Sequence, residues 1–178
     1  KGAEAIDIDT YTDWNICEFY LKRKRIVFVV SGYKEIGMGH VYNVLSLANE
    51  ILNHDLVFLA DSKSQLAYDK IAENNYQVHI QQEKDLVDSI RSLSPDIVIN
   101  DRLDTEAGEM LRIKDFASTV INFEDLGDGA QHADLVFNAM YPEKVELPNH
   151  YFGLEYFILR DEFLFSEMHQ VQPKVNSV

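Results

Sequence analysis

Apolar residues run without interruption from Ile26 to Val30, "IVFVV", and the run is rich in β-branched side chains. A strand covered on both faces has this pattern, because neither face needs polar residues. Directly after it come a glycine-containing turn and a segment in which Val41, Val44, Leu45, Ala48, Ile51 and Leu52 recur at helical spacing. The same alternation then repeats. "DLVFLA", "YQVHI", "DIVIN", "STVINF" and "ADLVFNAM" are strand-like, and between the earlier ones lie the helical stretches "SQLAYDKIAEN", "EKDLVDSIRSL" and "DTEAGEMLRIKDF". Strands alternating with helices from Ile26 to Met140 predict an α/β fold: a parallel sheet flanked by helices and joined by right-handed crossovers.

Both flanks differ from this pattern. "AIDID" (Ala5 to Asp9) alternates as a short strand would, and "TYTDWNICEFYLKRKR" follows as a helix. Thr10 is placed to cap that helix, and Asp13 stands at the reciprocal capping-box position. From Tyr141 the alternation stops, and two prolines among many aromatics predict an extended segment leading out of the sheet. No internal repeat or low-complexity tract is present. The chain opens on Lys1 rather than Met and enters "AIDID" almost at once, as a piece of a longer protein would.

Composition narrows the function classes. The 178 residues are 46% hydrophobic and 26% charged, which suits one globular core. The formal net charge of -14 repels nucleic acid and anionic membranes, so neither is an expected partner. The basic run Lys22 to Arg25 reads as a solvated helix C-terminus that complements the helix dipole. A single cysteine, Cys17, admits no internal disulfide and suits a reducing, cytoplasmic setting; Trp14 and Tyr20 nearby suggest a buried thiol. No stretch is long and apolar enough to span a bilayer. No His, Cys, Asp and Glu grouping has metal-ligand spacing, and no cofactor is implied.

The candidate chemistry gathers beyond the carboxyl ends of the strands, where ligands bind in doubly wound sheets. Gly32, Gly37 and Gly39 lie after the first core strand, in "SGYKEIGMGH". Their spacing is neither a Walker loop nor the strict dinucleotide fingerprint, so the turn marks a ligand crevice more firmly than a phosphate site. The helix that starts there would aim free N–H groups at the crevice. His40 stands at that helix start. The positive helix end should keep its ring neutral near pH 7, as a general base requires, although an imidazole there could equally serve as a cap. His54, His79, His150 and His169 sit at a helix end, in a strand and in the tail, and are weaker candidates; His132 has no supporting context. Asp101 and Asp104 follow the strand ending near Asn100, and Glu124 and Asp125 follow the one ending near Phe123. A carboxylate there could orient His40 or contact sugar hydroxyls, or cap a helix or turn. Asp101 leans to function and Asp104 to capping. Gly127 and Gly129 mark a tight loop whose N–H groups could touch a ligand.

Taken together, "GMGHVYNVLSLANEI", "DIVINDRLDT", "VINFEDLGDGAQHADLVFNAMYP" and "GLEYFILRDEF" resemble a family. They are similar to the UDP-sugar hydrolases of pseudaminic acid biosynthesis and the related spore-coat polysaccharide proteins, nucleotide-sugar enzymes of the GT-B fold. The opening "AIDIDTYTDWNICEFYLKRK" resembles instead the extreme C-terminus of the CMP-sialic-acid synthetases (acylneuraminate cytidylyltransferases), whose active site would lie upstream. The resemblance implies three parts. Residues 1–24 are the tail of a cytidylyltransferase, residues 25–140 are the Rossmann-like N-terminal domain of a GT-B protein, and residues 141–178 are a linker toward a C-terminal nucleotide-binding domain. Both activities belong to nonulosonic (sialic-like) acid synthesis.

By this resemblance His40 is the catalytic histidine, activating a water that displaces UDP from the anomeric carbon of a UDP-linked amino sugar with inversion. Gly37 and Gly39 form the turn that admits substrate. Asp101, Glu124, Asp125 and Gly127 line the sugar side of the cleft. Asn43 occupies a substrate-facing position where the hydrolases carry arginine, a departure that weakens the link to phosphate. Without the C-terminal domain the chain would hold half an active site and be inactive alone. Two other functions stay open: a GT-B glycosyltransferase whose histidine activates an acceptor hydroxyl, and a non-catalytic sugar-binding or dimerisation module of a cytidylyltransferase. Self-association is also left open.

Overall fold

A computed structural model of the chain describes residues 7–141 and 147–165. The beginning of "AIDID", the "PEKVE" stretch and the tail beyond Phe165, His169 included, lie outside the described residues.

Helix α1 (Tyr11–Lys22) begins with the expected capping box. The Asp13 N–H donates to Thr10 Oγ1 at 3.2 Å, and the Thr10 N–H donates to Asp13 Oδ2 at 2.8 Å. Residues 7–9, expected as the end of a strand, are irregular. The core then builds as β1 (Arg25–Val30), α2 (Gly39–Glu50), β2 (Asp55–Ala60), α3 (Gln65–Glu73) and β3 (Gln77–Ile80). It continues with α4 (Leu86–Ser92), β4 (Ile97–Asp101), α5 (Ala107–Lys114), β5 (Thr119–Phe123) and β6 (Leu135–Asn138). A further strand, β7 (His150–Phe152), and a short helix, α6 (Asp161–Leu164), close the described chain.

The seven strands form one sheet in the order β3-β2-β1-β4-β5-β6-β7, and every pairing is parallel. The expected parallel α/β sheet is thus present, in a Rossmann-like arrangement, with one strand more than the hydrophobic pattern announced. β7 lies where an extended exit was expected. Its three half-buried residues, with proline just before them, give too short and too aromatic a pattern to read as a strand.

β1 is the central strand, and its two sets of alternating side chains feed two cores. Ile26, Phe28 and Val30 pack with Val41, Val44 and Ala48 of α2, while Val27 and Val29 pack with Val87 and Ile90 of α4 and Met110 of α5. Phe28 and Phe58 stack at 4.8 Å across β1 and β2. Gly32 lets the β1–α2 turn lie flat on these helices, since a Cβ there would stand 2.5 Å from Val41 Cγ2. The chain reverses direction across the sheet between β1 and β4. That switch point opens a crevice beyond their carboxyl ends. Val30 and Asp101 stand in register at the ends of these two strands.

Candidate functional site

Three elements meet at the switch point: the β1–α2 turn, the end of β4 and the loop after β5. Gly37 takes φ +81, a left-handed conformation that a side chain resists, so the turn into α2 requires glycine there. Gly39 is different. A Cβ on it would meet nothing within 4 Å, so no packing demand explains the glycine, and its surface stands open.

Met38, not His40, occupies the cap position of α2, and no side chain caps the helix. His40 instead turns its ring toward β4. Its Nδ1 lies 2.6 Å from Asp101 Oδ1, with the imidazole 20% exposed and the carboxylate side chain 1% exposed. A carboxylate only accepts, so Nδ1 carries the hydrogen. In the neutral ring the lone pair then sits on Nε2. Asn43, one turn along α2 from His40, lends the Asp101 carboxylate a further hydrogen bond.

The electrostatics reverse the expectation drawn from the helix dipole. The hydrogen bond to Asp101 raises the His40 pKa above the ordinary 6.5; burial opposes this, and the charges of Asp101 and Glu124 add to it. A carboxylate in direct contact outweighs the partial charge of an uncapped helix end. Burial raises the Asp101 pKa, and its hydrogen bond to His40 counteracts the rise. The dyad therefore holds its proton more tightly than a free histidine does.

Glu124 faces the same crevice from the loop after β5. Its backbone is left-handed, φ 51, uncommon for a residue with a side chain. Its carboxylate accepts from the N–H groups of Ala139 at 2.9 Å and Met140 at 3.4 Å, which ties down the exit from β6. Burial raises its pKa, those N–H groups lower it, and the Asp101 charge raises it again.

Asp125 plays another part. It is 2% exposed. Its carboxylate accepts from Thr105 N at 3.0 Å, Thr105 Oγ1 at 2.6 Å, Asn122 Nδ2 at 2.5 Å and Gly127 N at 2.9 Å. Asn122 also accepts from Asn100 at 2.9 Å, and the Asp125 N–H donates to Asn138 Oδ1 at 2.9 Å. This buried network knits together the carboxyl ends of β4, β5 and β6. Nothing in the hydrophobic pattern announced it; the recurring asparagine near the end of each strand was the available signal.

Gly127 and Gly129 serve the same loop. Their N–H groups, expected to face a ligand, donate instead to Asp125 Oδ1 and to Thr105 O. A Cβ on Gly127 would lie 2.1 Å from Thr105 O, so the loop needs glycine in order to pack. Asp104 does not cap α5. It accepts from Leu126 N at 3.0 Å, and the first helical N–H, that of Ala107, goes to Asp128 at 2.9 Å. The helix starts later than "DTEAGE" suggested because Thr105 is drawn aside by Asp125.

Three other histidines, His54, His79 and His150, make local contacts away from the dyad. His54 Nδ1 accepts from Lys24 N at 3.1 Å, His79 bonds Gln77 on β3, and His150 lies on β7. Cys17 is buried as expected. Among the described residues no group of three His, Cys, Asp or Glu side chains could hold a metal, and no helix is long and apolar enough to cross a membrane.

No family model matches the chain. It is 31% identical over 153 residues to a Methanocaldococcus jannaschii protein, "Uncharacterized protein MJ1062". The match covers 78% of this chain but 31% of that protein, so the chain spans under a third of its relative's length. A Rossmann-like sheet of the kind that binds nucleotides, with a histidine–aspartate pair at its switch point, is what the fold and the site together establish.

Proposed function

We propose that this chain is the N-terminal half of a GT-B nucleotide-sugar hydrolase, acting on a UDP-linked amino sugar in nonulosonic acid or surface polysaccharide synthesis. The observation that carries the proposal is the 2.6 Å contact between His40 and Asp101 at the switch point. Asp101 holds Nδ1–H and so fixes the tautomer that presents Nε2. Nε2 takes a proton from water as the water attacks the anomeric carbon, and UDP leaves from the opposite face. The developing imidazolium is stabilised by the buried carboxylate beneath it. Gly39 gives the substrate room to approach, and Glu124 and Asn43 flank the dyad. A C-terminal domain would hold most of the nucleotide, and a cytidylyltransferase would precede residues 1–24, so that the full-length protein, rather than this chain alone, carries the activity.

The test is acceptor-free UDP release by the full-length protein from UDP-linked 2,4-diacetamido-trideoxyhexose. Release that His40→Ala abolishes supports the hydrolase. A folded wild-type protein that releases no UDP overturns it for that sugar.

A further inference from the structure

A second cleft opens beside the dyad, between the start of α2 and the segment that follows β7. Its volume is about 550 Å³, and Met38, Gly39, Tyr42, Asn43, Phe157 and Arg160 are among its walls. Gly39 and Asn43 flank His40 along α2, so the cleft and the dyad share one helical turn. Most of the lining is apolar. Arg160 is its one cation.

The guanidinium of Arg160 lies over two aromatic rings. Its Cζ lies 4.9 Å from the centre of the Tyr42 ring and 4.6 Å from that of Phe163. A ring contact of this kind engages the face of a guanidinium, whereas its five N–H donors lie along its edge. Nη1 meets Glu162 at 2.6 Å, and this ion pair is partly open, with the two side chains 36% and 62% exposed. A solvent-exposed ion pair of this kind contributes little, so a doubly charged anion can compete for the donors. In a chain of net charge -14, a cation fixed by aromatic rings at the mouth of a cleft is a local exception to the repulsive surface.

We propose that Arg160 is the anion anchor of this site, and that the cleft takes a phosphate-bearing group, a phosphate ester or pyrophosphate, while the dyad works on the atom next to it. Identifying that group as the diphosphate of a nucleotide sugar rests on the function proposed above; the anion subsite itself does not.

Inorganic pyrophosphate titrated into the full 178-residue chain, followed by ¹H–¹⁵N NMR, tests this directly. Saturable shifts are expected at the Gly39 amide and the Arg160 Nε–H. Arg160→Gln should weaken binding roughly 10- to 100-fold, as expected for losing hydrogen bonds to a charged group, and Arg160→Lys should restore part of it. Spectra that overlay elsewhere establish that the variants fold. No saturable shift in the wild-type chain, or equal affinity in Arg160→Gln, overturns the proposal. A positive titration with no UDP release by the full-length protein would sink the hydrolase reading alone and leave the anion site standing.

Discussion

His40 and Asp101 are separated by 61 positions in sequence, yet their side chains meet at 2.6 Å. Two features of the fold bring them together. β1 and β4 are neighbours in the sheet although two strands intervene in sequence, and α2 starts at the carboxyl end of β1. The topological switch therefore creates both the crevice and the contact inside it. A histidine near a helix start is unremarkable alone; over a buried carboxylate it becomes an oriented, proton-holding group.

That contact predicts a pH profile. The His40 pKa is raised, so the base form appears only as pH climbs past a value above 6.5. In the proposed hydrolase, kcat/KM for UDP release should rise with pH along a limb centred above 6.5. Asp101→Asn removes the raising hydrogen bond, and burial then draws the limb to lower pH while the rate falls roughly 10²-fold or more. A limb that stays in place in Asp101→Asn would mean that another group titrates. The linked effect on stability has a definite sign. The raised imidazole stabilises the fold fully below pH 6.5, and this contribution is lost as pH rises through the folded-state value. The urea midpoints of wild type and His40→Gln should therefore converge on the alkaline side.

The two glycine turns predict opposite outcomes. A Cβ at Gly39 meets nothing within 4 Å, so Gly39→Ala should leave stability within about 0.5 kcal/mol of wild type. It should nevertheless weaken substrate binding, because the methyl group occupies the open approach to the dyad. Gly127→Ala places a carbon 2.1 Å from a backbone oxygen and should cost about 2 kcal/mol or more, measured by urea unfolding. Destabilisation by both would mean that Gly39 serves packing rather than access.

Glu124 predicts a smaller electrostatic effect. Its charge contributes to the raised pKa of His40. Glu124→Gln should lower that pKa by less than Asp101→Asn does, readable by NMR titration of the His40 ring. Equal shifts would place Glu124, and not Asp101, as the dominant partner.

The fold was legible where the hydrophobic period was unambiguous. "IVFVV" and "DLVFLA" have no polar face, so a strand buried on both sides was their only stable use. The capping box of Thr10 and Asp13 was legible because both halves lie within one helical turn. The site was legible only as a list. Chain position indicated that His40 and Asp101 would open into one crevice, but not that they would touch. The dipole argument gave the wrong direction for the His40 pKa because it omitted a partner 61 positions away, whose hydrogen bond raises it. β7 was missed because pairing with β6, rather than its own pattern, makes it a strand. Asp125 reads in sequence as a ligand contact because a buried acceptor there looks the same as an exposed one.

Asp125 supplies the sharpest structural prediction. It accepts four hydrogen bonds from Thr105, Asn122 and Gly127, and it is 2% exposed. Asp125→Ala would leave those donors buried without an acceptor, each carrying a desolvation penalty of about 1 kcal/mol or more. The loss should total roughly 3 kcal/mol or more and fall on the loop that carries Glu124. Asp125→Asn keeps the shape but turns one acceptor into a donor facing other donors, so it should rescue little. Urea unfolding gives the stability, and NMR titration of His40 gives the consequence at the site. If the loop loosens, Glu124 withdraws and the His40 pKa moves toward 6.5. A stable Asp125→Ala protein with an unchanged His40 titration would show that the network does not hold the site in place.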